Sequence, residues 1–497
     1  MTAGEMAFQD ACGIDVSTLV PQRYAAYRPL VAEALLFFVQ HLPTARLGAI
    51  LAEQRALPHD ATMSERLATL LCNCPTLHKL GQVVARDRRL APELRRHLQA
   101  LESMEPTHPV STSFETIRHE LKDFPVSTMQ FGPKALAEAS VAVVIPFSLP
   151  EPGREPSAVE GVLKVLKPGI EQCLAEELQV WSQLSVFIDE RCEYYRIPTL
   201  HYAETLETIR ELLGNEIRLD LEQRHLAEAS RFYADSDSVR IPSLLPFCTP
   251  RITAMERIRG RKVTESGDLP AHTRRKLASL VIDALIARPI WMPRDNSLFH
   301  ADPHAGNLFF TDDQRLAILD WSLVGHLGKH ERIQTMQLVL GALTYDARRI
   351  AQAIAAMARA EPDEPALRQV VDKALGRLQR EHLLPGFRWL LDLLDDAMLS
   401  AGVRFGEDLL LFRKSVLTIE GVVADVSETD SLDWVLPVSA MKQFSRELAS
   451  RPFALPSSRH FGTHISNLDL LMLYWGIPTT AARFWKRFWG RWLGTNR

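Results

Sequence analysis

Between Phe299 and Leu327 the chain carries its densest run of chemistry. It reads Phe299-His300-Ala301-Asp302-Pro303-His304-Ala305-Gly306-Asn307, then the apolar triplet Leu308-Phe309-Phe310 and the polar turn Thr311-Asp312-Asp313-Gln314. A second apolar run, Leu316 to Leu319, ends in Asp320. Apolar runs of this length, separated by turn residues, predict a loop, a short strand, a turn and another short strand. The turn folds the two ends together, which sets Asn307 and Asp320 near one another with Asp302 just upstream. An acid, an asparagine five residues on and a second acid closing a strand make a phosphoryl-transfer arrangement. Asp302 can orient or deprotonate an acceptor, while Asn307 and Asp320 can hold the magnesium that bridges ATP phosphates. The same stretch also contains His300-x-Asp302-x-His304, whose imidazoles and carboxylate could instead ligate a metal for hydrolysis.

Upstream, Lys164 sits in Gly161-Val162-Leu163-Lys164-Val165-Leu166, a strand-like run with apolar neighbours on both sides. Burying an ammonium there is costly unless it meets an anion, and an ATP phosphate would serve. A lysine at a sheet edge is the plainer alternative. Val141 to Ile145 is a second β-branched run. The Pro- and Gly-rich stretch between the two predicts a hairpin. Arg251 to Glu256 reads as a further strand. Most of the remainder has helical periodicity: Leu30, Ala34, Leu35 and Phe38; Leu67, Leu70, Leu71 and Leu77; Pro92 to Leu101; Glu171 to Phe232; Leu269 to Arg288; and Lys329 to Leu448. Pro452, Pro456, Ser457 and Ser458 read as a linker to a distinct tail.

At 497 residues the chain has room for about three domain-sized units, and 46% hydrophobic with 24% charged residues is an ordinary globular composition. A net charge of −4 excludes a global basic field for nucleic acid. Six dispersed cysteines without a CxxC pair predict reduced thiols rather than a disulfide framework. No signal peptide and no spanning helix are expected.

These residues resemble the UbiB/AarF/ADCK family of atypical kinases. His300 to Asn307 is similar to the family's HADPHPGN loop, and Leu319 to Gly325 to its LDFGxxG segment. Thr76-Leu77-His78-Lys79-Leu80-Gly81-Gln82 resembles its KxGQ motif. Ala137 to Ala142 is similar to its alanine-rich loop, and Gly161 to Ile170 to its VAVKVQRPGI. The resemblance implies an α+β, bilobal protein-kinase-like fold with a helical N-terminal extension carrying KxGQ. The boundaries it suggests are an N-terminal helical segment over 1–60 and the KxGQ extension over 61–125. An N-lobe with inserted helices would cover 126–259, a helical C-lobe with the catalytic loop 260–455, and the tail 456–497.

By the same resemblance, Asp302 and Lys164 are catalytic, and Lys164 contacts the nucleotide phosphates. Ala137, Ala139 and Ser140 cover those phosphates, and Met255 and Glu256 form the hinge that meets adenine. Asn307 and Asp320 hold Mg2+. Lys79, Gly81 and Gln82 would fold over the active site and block protein substrates. Glu216 is the candidate partner of Lys164, in a stretch similar to the family's ExD motif: aligned on Asp220, Arg218 takes the glutamate's place, and aligned on Glu216 and Glu222, both acids are kept and Arg218 takes the aspartate's. The implied cofactors are ATP and Mg2+. The implied partners are an isoprenoid lipid or quinone precursor and lipid-biosynthesis proteins. Phosphoryl transfer to water or a small molecule is the leading activity. A catalytically weak pseudokinase scaffold and a protein kinase are the alternatives.

Two departures stand out. Asp320-Trp321-Ser322 replaces the glycine of the family motif with serine, which restricts the backbone. The family's frequent C-terminal spanning helices are not expected. Instead, Phe484, Trp485, Phe488, Trp489 and Trp492 gather on one helical face, and Arg483, Lys486, Arg487 and Arg491 on the other. Such a tail suits an anionic membrane surface, and the expected location is the cytoplasm, peripheral at the cytoplasmic membrane face; a terminal helix docked on the chain's own core is the alternative.

Overall fold

Alternating apolar residues in the two β-branched runs build a sheet with one face committed to a core. The computed structural model describes residues 14, 20, 22–84, 109–124, 126–150, 158–196, 214–381, 385–427 and 431–475. The predicted helix Pro92 to Leu101 and the basic–aromatic tail from Arg483 lie outside the described residues. The chain divides into two compact units: 1–227 with 242–257, and 228–241 with 258–497.

The first unit is organised on an antiparallel sheet. Strands β1 (Gln130–Phe131), β2 (Ala137–Glu138), β3 (Ala142–Pro150), β4 (Ala158–Leu166) and, after two helices and the short strand β5 (Val239–Arg240) of the other unit, β6 (Ile252–Glu256) follow in chain order. The sheet order is β1-β3-β4-β6, with β2 also on β3. The predicted hairpin is β3–β4, in register Val144↔Lys164. Ile145, Leu163, Val165, Ile252 and Ala254 bury its core face, each large aliphatic side chain contributing about 1.5–3 kcal/mol. The helices Arg28–Gln40, Met63–Asn73 and Pro75–Val84 pack through Phe38, Leu70 and Leu77 against Trp181 and Leu184 of the long helix Ile170–Tyr195.

That long helix fixes the start of the KxGQ-bearing helix Pro75–Val84. Glu177 is fully buried, and its Oε2 accepts from the Thr76 N–H (2.9 Å) and hydroxyl (2.6 Å). A carboxylate at a helix N-terminus satisfies orphan donors and opposes the positive end of the dipole. Burial raises the Glu177 pKa, while Arg46, paired with it, and the Thr76 bonds oppose the rise.

The second unit holds two smaller sheets. Strands β7 (Gly260–Lys262), β8 (Asn296–His300), β9 (Leu308–Thr311), β10 (Leu316–Ile318) and β11 (Val324–Gly328) complete the strands. β5-β10-β9-β7 form one sheet, and β8 pairs with β11 in the other. The helices of this unit include Ala271–Ile282, Lys329–Thr344, Glu407–Val426 and Leu432–Glu447. Buried Arg332 donates to the carbonyls of Gly328 (3.2 Å) and Asp295 (2.9 Å), and to those of Met292 and Arg294, tying down the loop that enters β8.

The stretch after Pro452, expected as a linker, leads instead into packed chain. Arg451, 4% exposed, donates to Glu447 and Thr463, each at 2.7 Å. Asp469, 2% exposed, accepts from Ser466 N (3.0 Å) and Arg459 Nε (2.8 Å) and pairs with Arg349. Pro and Ser mark a change of direction here, and a buried polar network binds the returning chain. Cys74 and Cys192 are buried, and Cys173 and Cys248 are half-buried. Among the described residues no single helix is long and apolar enough to cross a membrane.

Candidate functional site

In the first unit, β4 is an internal strand, so the edge reading of Lys164 falls away. Lys164 is 7% exposed, and its Nζ donates to Glu222 Oε1 at 2.9 Å. Glu222, 3% exposed, comes from the helix Leu219–Phe232. The partner of Lys164 is therefore Glu222, and the expectation that Glu216 takes that place is corrected. Helical spacing explains the difference, since Glu222 lies inside the regular helix and Glu216 precedes it. Glu216 pairs with Lys79 and accepts from Ser140 Oγ at 3.1 Å. One carboxylate thus joins the KxGQ motif to the alanine-rich loop. Gly81 and Gln82 lie on the Pro75–Val84 helix. Arg218, in the acid's place, forms a bidentate pair with Asp220 at 2.9 and 3.0 Å.

Ala137 lies on β2 opposite Val144, and the Ala139 N–H donates to Ala142 O at 2.8 Å. These bonds give the alanine-rich loop a tight return into β3. Met255 and Glu256 end β6. The Glu256 N–H donates to Ser243 O at 2.9 Å, so an adenine at this strand end cannot take that N–H without breaking the bond. The expected strand is present as β6, and its last backbone donor is already engaged.

In the second unit, the loop after β8 is ordered by His300. This ring is 1% exposed. Its Nδ1 accepts from the Asp302 N–H at 3.1 Å, which leaves the proton on Nε2. Nε2 donates toward the carbonyls of Leu319 (3.1 Å) and Asp320 (2.9 Å). Burial lowers the His300 pKa, opposed by those carbonyls and by Asp302 and Asp320. Both ring nitrogens are occupied, so His300 is a neutral brace and the metal-ligand alternative loses its first imidazole. His304 Nδ1 accepts from Gly306 N–H at 3.1 Å. A Cβ at Gly306 would meet the His304 ring at 2.9 Å, a close approach that glycine permits. Among the described residues no group of three or more His, Cys, Asp or Glu is placed to hold a metal.

Asn307 and Asp320 leave the same end of the β9–β10 hairpin, because Leu319 N donates to Asn307 O at 2.8 Å. The Asn307 amide nitrogen donates to the Asp302 carbonyl at 3.1 Å, which commits Nδ2 and leaves Oδ1 as the side chain's acceptor. Asp320 has φ +51°, a left-handed conformation that Asp tolerates better than most residues. Ser322 is absent from the positive-φ residues. The glycine it replaces is not needed for its freedom in this conformation. Trp321 is fully buried, its Nε1 donating to Ile318 O at 3.1 Å and its ring edge-on to His300 at 4.8 Å.

Residues that local patterns did not single out complete the loop's surroundings. Ser415 Oγ donates to His300 O at 2.8 Å, and Lys414 Nζ lies 3.5 Å from Asp302 Oδ1. Both come from a helix more than 100 residues downstream, so no short motif carries them. Glu222 had a signal, namely an acid in a predicted helix after the lysine strand.

A lysine–glutamate pair anchored on a central strand, with an acid–asparagine–acid loop on a β hairpin, defines a kinase-like protein. The ABC1 atypical kinase-like domain matches residues 102–354, just over half of the chain. The chain belongs to this family, the UbiB/ADCK group of atypical kinases. "Probable protein kinase UbiB" of Shewanella baltica strain OS185 is 31% identical over 288 residues, covering 56% of this chain and 50% of that protein. The protein of the same name from Shewanella oneidensis strain MR-1 is 32% identical over 304 residues, covering 59% and 53%. The chain spans about half the length of the curated relatives it matches. Among solved structures, the Rv3197–erythromycin complex from Mycobacterium tuberculosis has a TM-score of 0.45 and 14% identity, covering 70% of this chain and 92% of that one.

Proposed function

We propose that the chain binds ATP with Mg2+ and transfers the terminal phosphoryl group to water or a small acceptor, supporting isoprenoid-lipid or quinone metabolism at a membrane face. The observation that carries this reading is the bracing of Asp302, Asn307 and Asp320 by His300 and the β9–β10 hairpin. Its donors suit magnesium: a carboxylate from Asp320 and a carboxamide oxygen from Asn307 are hard oxygen ligands. Magnesium typically takes one or two carboxylates and fills its remaining positions with water and phosphate. Bound there, the ion would neutralise charge on the phosphates. Asp302 orients the acceptor and takes its proton, and Lys164, steered by Glu222, meets the nucleotide phosphates.

Two sequence features favour a non-catalytic scaffold: Ser322, and the uncertain partner of Lys164. Neither retains its force, because Ser322 needs no glycine conformation and Lys164 is paired with Glu222. The KxGQ helix, tied to Ser140 through Glu216, supports a small acceptor over a protein substrate. Equilibrium ATP binding with and without Mg2+ tests the reading. Asp320→Asn should abolish the magnesium-dependent gain in affinity, and Asp302→Ala should abolish hydrolysis while ATP still binds. Unchanged magnesium dependence in Asp320→Asn sinks the assignment.

The tail's membrane role gains support from the segment before it. The helix through 467–475 turns Asp469 inward and exposes Leu468, Leu471, Met472 and Trp475 at 41–67%. An acid inside and an apolar stripe outside invert the usual helix polarity, as an interfacial element would require.

A further inference from the structure

The catalytic loop from His300 to Asn307 contains no lysine or arginine. Phosphoryl transfer nevertheless gathers negative charge on the migrating group, and fixed cations placed where that charge develops stabilise the transition state. The structure supplies one from elsewhere in the second unit. Lys414 Nζ stands 3.5 Å from Asp302 Oδ1. Its side chain is 43% exposed and that of Asp302 is 18% exposed, so both remain within reach of a ligand.

The position of Lys414 follows from its helix. Glu407–Val426 is fastened to the β8–β11 pair at three successive points. Asp408 Oδ1 accepts from His326 N–H at 3.0 Å. Phe412 meets Phe299 edge-on at 5.1 Å. Ser415 Oγ donates to His300 O at 2.8 Å in a buried contact. These contacts fix both the register and the rotation of the helix, and Lys414 adjoins the last of them. The ammonium is therefore delivered to Asp302 by a rigid element, which is what pre-organised electrostatic stabilisation requires.

Resting on the phosphoryl-transfer function proposed above, we propose that Lys414 is a catalytic residue that contacts the transferred phosphoryl group, supplying from a distant helix the cation that the loop lacks. In that step the bond between the terminal phosphorus and the bridging oxygen of ATP breaks, and its electron pair leaves with ADP. A bond forms from the acceptor oxygen to the phosphorus, and the acceptor's proton passes to the Asp302 carboxylate. Lys414 keeps its proton throughout and follows the charge on the phosphoryl oxygens. His304 Nε2, 4.0 Å from Asp302 Oδ2, is another nitrogen near this carboxylate, and its ring is tied into the loop through Gly306.

The test uses the full chain with Lys414→Met and Lys414→Arg. Equilibrium binding of ATP and of ADP, each with Mg2+, is measured beside steady-state hydrolysis. Lys414→Met should weaken ATP binding about tenfold and leave ADP binding within about twofold, because only ATP carries the group that Lys414 meets. It should lower kcat by about 10²–10³-fold, the usual cost of one pre-organised donor, and Lys414→Arg should recover at least about tenfold of that loss. Thermal midpoints of both variants should match the parent, since a half-exposed ion pair contributes little to stability. Equal losses for ATP and ADP, or an unchanged or increased kcat in Lys414→Met, overturn the inference while leaving the ATP reading intact. A parent chain that binds ATP without turnover still decides it through the ATP–ADP difference. A parent chain that binds no ATP overturns both.

Discussion

An ammonium on a central strand stays buried only if a counter-charge is buried with it, and Lys164 with Glu222 is such a pair. Removing one member leaves the other without compensation in the interior, at a cost of about 3–5 kcal/mol. Glu222→Gln and Lys164→Met should each destabilise the first unit by that amount. The double variant should cost clearly less than the two together, as a urea-unfolding cycle would show. Additive losses would mean that the pair carries no coupling. A second residue-scale prediction concerns His464, which is fully buried with φ +54°. Burial first, then the charge of Arg332, lowers its pKa to about 4, while its bond to the Ile290 carbonyl and the nearby Glu447 pull the other way. The folded chain thus refuses a proton that the unfolded chain accepts near pH 6.5. The sign follows: between pH 6.5 and about 4 stability falls as pH falls, by at most about 3 kcal/mol from this ring. His464→Asn keeps a donor for Ile290 and tolerates positive φ. Its thermal midpoint should fall less steeply over that window, with a residual slope from His300. A parallel slope in the variant would remove His464 as the source.

At the scale of elements, the KxGQ helix is held at its start by an acid from another helix. Glu177 spends its Oε2 on the Thr76 N–H and hydroxyl, and the indole of Trp181 donates to the same hydroxyl at 2.9 Å. A hydrogen bond to a charged group contributes about 1.5–3 kcal/mol. Glu177→Gln should therefore lower amide protection across Pro75–Val84 by about that amount in hydrogen exchange, and protection in β3 and β4 should stay as it was. Uniform loss across the unit would show a general core role instead. Periodicity made most elements legible. The β3–β4 hairpin, β6 and the β9–β10 hairpin with its polar turn all follow from short apolar, often β-branched runs between turn signals. Asp302, Asn307 and Asp320 were legible for the same reason, since sequence neighbours on a hairpin are neighbours in space. The partner of Lys164 was less so, because two glutamates six residues apart differ only in which helical turn they occupy. Lys414 and Ser415 carry no local sign at all, since their role exists only through the packing of their helix on β8. The supposed linker after Pro452 misled for a related reason. Proline and serine report local backbone geometry, whereas the chain beyond them is held by Arg451 and Asp469 through partners far away in sequence.

For the molecule as a whole, a net charge of −4 conceals an uneven distribution of polarity. The end of the second unit exposes Leu468, Leu471, Met472 and Trp475 along one helical stripe. The sequence continues into fifteen residues from Arg483 with five basic side chains and no acid. Apolar side chains that enter the headgroup region and basic residues that meet anionic lipid act together, each basic residue contributing about 1 kcal/mol near such a surface. Where the chain is cut decides what a binding experiment can show. Cutting at Pro456 would strip Thr463, His464 and Asp469 from the interior and leave Arg451, Arg349 and Arg332 facing emptied sites. A cut after Trp475 removes the basic–aromatic tail while keeping that network. Vesicles of phosphatidylcholine with phosphatidylglycerol should sediment the full chain. Sedimentation should weaken at least about tenfold in Leu471→Glu/Met472→Glu and in the chain ending at Trp475. The tail's share should shrink on raising salt from about 0.1 to about 0.5 M, as screening predicts, and the apolar share should persist. Full-length protein that stays in the supernatant at low salt, or that sediments equally well in both altered forms, would rule out this surface as the docking site. If only the truncated chain loses binding, the tail acts alone, and the outward face of the 467–475 helix must then be covered by something other than lipid.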